Sequence, residues 1–179
     1  MVMKETIKLG RYLFIICAVA GIALAGTSYF TSSEIKLQKQ KLENDSLKEV
    51  LPLASVFETK DSFPKNGFDD KNNVVGSVLK VTATGYSSEI SALVGIDRDF
   101  KVTGVKILLH NETPGLGAKI SEKNFLSQFI GKISEKILLK KDSKDGEIDA
   151  ITSATISSRA ITNAIREKIN EFHKEKTVK

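Results

Sequence analysis

The 179-residue chain has no tryptophan, one cysteine and two histidines. With Cys17 alone, no intramolecular disulfide can form and no cysteine-held metal or iron–sulfur centre can be built. His110 and His173 are too few to suggest a metal cluster, so any redox chemistry has to come from an organic cofactor. The formal net charge is +5, but the lysines are spread through both halves among acids. There is no basic stripe with interleaved aromatics, which argues against nucleic-acid binding. A lysine-rich surface is ordinarily just a solvated one. Also missing are an internal repeat, a low-complexity tract and a second long apolar run.

The first long apolar run is present, at residues 12–30 (YLFIICAVAGIALAGTSYF), 19 residues without a charge. A membrane-crossing helix needs about 20 apolar residues, and Tyr12, Tyr29 and Phe30 at the ends suit the headgroup region. Ala23 and Ala25 mimic a signal-peptide cleavage site. The uncharged run continues past them, which favours an intact anchor over a cleaved signal peptide or a buried soluble helix. Lys4, Lys8 and Arg11 precede the run and Lys36, Lys39 and Lys41 follow it, so the positive-inside count barely discriminates. Long domains translocate largely regardless of charge. The expectation is therefore a cytoplasmic leader at 1–11 and everything beyond Phe30 outside.

Residues 31–59 read as a helical stalk. Ile35, Leu37, Leu42, Leu47, Val50, Leu51 and Ala54 recur at mostly helical spacing, and Pro52 kinks or ends the helix. Part of this stretch can instead pack on the domain that follows, at 60–179. There, 60–73 (KDSFPKNGFDDKNN) reads as a loop. Three strands are expected at 74–86, 89–97 and 101–110, the last two joined as a hairpin through Asp97-Arg98-Asp99. A short helix at 121–130 with Ser121 as its N-cap, a further strand at 135–140 and a polar turn at 141–146 come next. An amphipathic helix closes the chain at 156–173, with Ile156, Ala160, Ile161, Ala164, Ile165, Ile169 and Phe172 on one face. The fold class is α+β, a small antiparallel sheet with flanking helices, preceded by one N-terminal transmembrane helix.

Two stretches carry chemistry. In residues 149–158 (DAITSATISS) a strand-like run ends in small and hydroxyl residues just before the last helix. A helix start has unpaired N–H groups and a positive dipole end, which make an anion site. Ser153 and Ala154 are small enough to let a phosphate approach, and the hydroxyls of Ser157 and Ser158 could donate to it. Equally, Thr155 could be an ordinary N-cap. In residues 110–117 (HNETPGLG), Thr113-Pro114-Gly115-Leu116 suits a type II turn, and Gly117 adds a second permissive position. This loop could hold Leu116 out at a fixed site, or be a plain strand-to-helix connector. Glu112 could bond a cofactor or be a surface acid.

From about Leu47 to the last helix, chain order, spacing and text resemble the FMN-binding domain in the G subunit of the Rnf electron-transport complex, which has a similar single anchor before it. The matching stretches are 86–97 (YSSEISALVGID), 103–120 (TGVKILLHNETPGLGAKI), 125–132 (FLSQFIGK) and 149–160 (DAITSATISSRA). The resemblance implies that Thr155 carries FMN covalently through its phosphate. It also implies that Glu112, Thr113, Leu116 and Gly117 lie near the flavin ring, and that Ser153, Ala154, Ser157 and Ser158 complete the cofactor-binding set. Ser153 departs from the family, which usually has Gly there; Ser87 and Ser88 also stand where glycines are frequent. The implied function is an electron relay in a complex linking ferredoxin and NAD redox chemistry to ion movement, with no diffusible substrate of its own. Its partners would be the other membrane and peripheral subunits and, during maturation, a flavin transferase. Its place would be the cytoplasmic membrane, single-pass, with the FMN domain on the extracytoplasmic side. Two rivals are the corresponding subunit of the sodium-pumping NADH:quinone reductase, usually longer than this chain, and a flavin-free tethered assembly subunit.

Overall fold

The computed structural model describes residues 10–21, 24, 43–60 and 62–177. Two compact units divide the chain at residues 43 and 44. In the first, residues 10–21 and 24 are helical, while the rest of the 12–30 run lies outside the described residues. Among the described residues no helix is long and apolar enough to cross a membrane.

The second unit is built on a five-stranded sheet in sequence order, antiparallel throughout. Its strands are β1 (Val56–Phe57), β2 (Lys65–Phe68), β3 (Val74–Thr84), β4 (Glu89–Asp97) and β5 (Val102–Leu109). β3, β4 and β5 stand within two residues of the expected bounds. The β4–β5 hairpin forms at the expected turn, where the Asp97 carboxylate accepts the N–H groups of Asp99 and Lys101, both at 2.9 Å. The expected loop at 60–73, by contrast, contains β2. Its text, KNGF, is that of a turn, and its pairing with β1 on one edge (Phe57 opposite Gly67) and β3 on the other (Lys65 opposite Val78) holds it extended.

Alternate residues of β3 and β4 face opposite sides, and both sides are covered. On one, Leu79, Val81, Ile90, Ala92, Val94 and Ile96 pack with Ile161, Ile165, Ile169 and Phe172 of the C-terminal helix (Thr155–Thr177). On the other, Val78 and Leu93 pack with Leu47, Val50, Leu51 and Ala54. A strand buried on both faces reads as a continuous apolar run, which is the text of β4 (SALVGI).

Residues 43–50 are helical, and the helix ends before Pro52, as its missing N–H requires. Its C-terminus rests directly on the sheet. The Thr103 hydroxyl donates to the Val50 carbonyl at 2.6 Å, and a Cβ on Gly95 would stand 2.0 Å from that oxygen. Residues 44–54 thus belong to the domain core, and Val56–Phe57 form a strand rather than the end of a helix. The division drawn at residue 60 falls inside this packed unit.

Two other expectations are corrected. Residues 121–130 form a 3-10 turn (Gly117–Ser121), a single α-turn (Lys123–Leu126) and a second 3-10 turn (Ser127–Phe129). The capping position is Glu122, not Ser121, and makes no side-chain cap bond. Ile120, Phe125 and Phe129 are buried, so packing rather than propensity holds this segment. The expected strand at 135–140 is a 3-10 turn (Ser134–Lys136) followed by one isolated bridge between Leu139 and Ile148. Ile137, Leu139 and Ile148 are fully buried there as a plug in the core.

Candidate functional site

Chain reversal before the C-terminal helix is sharp. The Ala154 N–H donates to the Ile151 carbonyl at 3.0 Å, closing a turn in which Ser153 has a φ of +65°. The first helical bond runs from the Ser158 N–H to the Ala154 carbonyl at 3.0 Å. The amides of Thr155, Ile156 and Ser157 precede it and have no intrahelical acceptor. Thr155 is half-buried in the first turn, and its hydroxyl has no hydrogen-bond partner among the described residues.

The 113–116 turn forms as its sequence requires. The Leu116 N–H donates to the Thr113 carbonyl at 3.2 Å and Gly115 has a φ of +76°. Glu112, just before it, is 4% exposed. One carboxylate oxygen, Oε1, accepts the N–H groups of Ser87 (3.0 Å) and Ser88 (3.2 Å). The other, Oε2, accepts the Tyr86 N–H (3.3 Å) and the Ser157 hydroxyl (2.5 Å). Glu112 is therefore the knot joining the β3–β4 turn, the 110–117 loop and the helix start. Gly85 and Gly117 give it room: a Cβ would stand 2.3 Å and 2.8 Å respectively from its oxygens. Burial opposes ionisation of this carboxyl. The Ser157 hydroxyl and the three amides outweigh it and hold the group below its ordinary value of 4.5.

A cleft of about 460 Å³ lies where these segments meet. It is lined by Glu112, Thr113, Leu116, Gly117, Ser153, Ala154, Thr155 and Ser157, all expected, and by Tyr86 and Ile156, which the sequence does not single out for the site. Tyr86 follows the end of β3 and is 69% exposed. Helical spacing puts Ile156 on the apolar face of the last helix, yet it is 53% exposed. At 3.6 residues per turn it lies about 140° around the axis from the buried Ile161, a phase difference the sequence does contain. Of the expected residues, Ser158 alone lies outside the cleft. It is fully buried, with its hydroxyl donating to the Ala154 carbonyl (2.9 Å) and accepting the Ile151 N–H (3.1 Å). The Ser157 hydroxyl proton is likewise engaged, by Glu112. Both serine hydroxyls are thus engaged within the protein, and the amides of the first turn are the free donors.

The donor set fits FMN. Unpaired amides and a free hydroxyl suit its phosphate, small side chains at Ser153 and Ala154 leave room for it, and Tyr86, Leu116 and Ile156 offer apolar surface to a planar ring.

Residues 85–170 match a family model described as the FMN-binding domain. The chain is 35% identical to the G subunit of the ion-translocating oxidoreductase complex of Methanosarcina acetivorans, with 93% of this chain and 94% of the relative covered. It is 37% identical to the G subunit of the Na(+)-translocating ferredoxin:NAD(+) oxidoreductase complex of Acetobacterium woodii, with 94% and 92% covered. Among solved structures, NqrC of Shewanella oneidensis superposes with a TM-score of 0.50 at 23% identity, over 69% of this chain and 67% of that one. The C subunit of the Na(+)-translocating NADH-quinone reductase of Parabacteroides distasonis gives 0.51 at 21%, over 63% and 60%. These two show a shared fold.

Proposed function

The chain belongs to the family of G subunits of ion-translocating oxidoreductase complexes, and from that premise we propose that it is the FMN-bearing electron relay of a ferredoxin:NAD oxidoreductase complex. The observation that carries this reading is the free Thr155 hydroxyl at a helix start, in a cleft also lined by Glu112, Thr113, Leu116 and Gly117. FMN takes or gives one or two electrons, which suits a relay between nicotinamide and iron–sulfur carriers. The chain's own residues bind and orient. Thr155 anchors the phosphate, the first-turn amides neutralise it, and Tyr86, Leu116 and Ile156 shelter the ring from water.

The link is a phosphoester to Thr155. A flavin transferase would supply the flavin phosphate as an activated anhydride. The Thr155 oxygen would bond to the flavin-side phosphorus as the anhydride bond breaks, the other phosphate half would leave with the bonding electrons, and the hydroxyl proton would pass to water. A domain held outside the cytoplasm cannot recapture lost FMN, so a covalent bond removes that loss. The anchor spans residues 12–30, with 1–11 cytoplasmic and the domain outside.

Thr155→Ala should abolish both in-gel flavin fluorescence of the denatured chain and the FMN mass increment. Thr152→Ala, in the exposed turn before it, should leave both intact. Persistence of the fluorescence in Thr155→Ala would put the attachment elsewhere.

A further inference from the structure

Glu112 is the one residue lining the cleft, among those described, that is charged at neutral pH. It is 4% exposed, and no Lys, Arg or His forms an ion pair with it among the described residues. His110, the nearest histidine in sequence, accepts the Glu112 N–H at Nδ1 (3.3 Å). Four hydrogen-bond donors satisfy the carboxylate's oxygens without cancelling its charge. The helix start meets Glu112 through the neutral Ser157 hydroxyl and brings no formal cation to offset the carboxylate.

We infer that the Glu112 carboxylate is a fixed negative charge that lowers the reduction potential of the flavin in this cleft. The inference rests on the function proposed above and adds a role that attachment through Thr155 does not require. Reduction adds negative charge to the bound group. In a wall nearly closed to water, a nearby anion is screened far less than at the surface, so it disfavours that addition. The hydrogen bonds keep the charge in place throughout the physiological range, so the bias is constant.

A merely structural Glu112 would act through shape, and charge and shape can be separated. Glu112→Gln keeps the size and removes the charge, with its NH2 placed where one acceptor oxygen stood; Glu112→Asp keeps the charge and shortens the reach. The full-length chain, flavinylated by coexpression with a flavin transferase and purified in detergent, is titrated by spectroelectrochemistry. In-gel fluorescence and mass report loading, and thermal melting reports folding. Glu112→Gln should shift the midpoint potential upward, with Glu112→Asp staying nearer the unmodified chain. The inference is overturned if Gln does not raise the potential, or if Asp shifts it as far as Gln does. Loss of flavin from Glu112→Gln would assign the residue to attachment and overturn it equally. An unmodified chain without flavin would instead sink the parent reading.

Discussion

Ser153 has a φ of +65°, where its family relatives, by the resemblance, carry glycine. An L side chain in that region costs about 1–2 kcal/mol. Glycine removes that cost but adds about 0.4–1 kcal/mol of unfolded-chain entropy. Relief is the larger effect, so Ser153→Gly should raise stability by roughly 0.5–1 kcal/mol, measured as a higher urea midpoint at unchanged m-value. A lower midpoint would mean that the Ser153 hydroxyl contributes more than its backbone costs. The position was legible in the sequence as a departure from pattern; its φ was not. Glu112 was legible only as one of two opposites, cofactor partner or surface acid. The structure makes it a buried carboxylate bonded across 45 residues to Ser157, and nothing in the text HNETPGLG announces that partner.

The segment at 44–54 shows how far an element depends on its surroundings. Its apolar spacing was readable as helical, but the face receiving it was not. That face exists because Gly95 and Gly104 stand opposite each other on β4 and β5 and let the Val50 backbone lie on the sheet. Leu51 is fully buried there, whereas Leu53, two residues on, is 70% exposed. Leu51→Ala should therefore cost about 2–5 kcal/mol, and Leu53→Ala no more than about 0.5 kcal/mol. Chemical denaturation reads both, and equal effects would return this segment to the role of a detached stalk. The C-terminal helix followed its period well over 161–172, where burial tracks 3.6 residues per turn. It failed at Ile156, whose hydrophobicity serves the cleft instead of the core.

For the whole molecule, the division at residues 43 and 44 predicts where the chain can be cut. A version beginning at Asn44 should fold cooperatively and take up flavin at Thr155. One beginning at Ser62 lacks Leu47, Val50, Leu51 and Ala54 and leaves Val78 and Leu93 uncovered, so it should lose cooperative melting. Equal melting curves for the two would make 44–54 dispensable. The proposed topology is tested on intact cells stripped of outer barriers. Added protease should digest the domain and spare an N-terminal tag; a domain protected until the membrane is opened would reverse the orientation and the electron path with it.

Local patterns in the sequence determined the three long strands, the hairpin at Asp97, the 113–116 turn and the last helix, because each rests on periodicity or turn chemistry within a few residues. They also marked both signature stretches that line the cleft. Tertiary structure alone decided that KNGF is a strand, that 44–54 is core, that 135–140 is a plug, and that Ser157 bonds Glu112. The physical reason is common to all four. Their conformation or role is set by partners outside the element itself, through pairing, burial and hydrogen bonding, which local propensity does not encode.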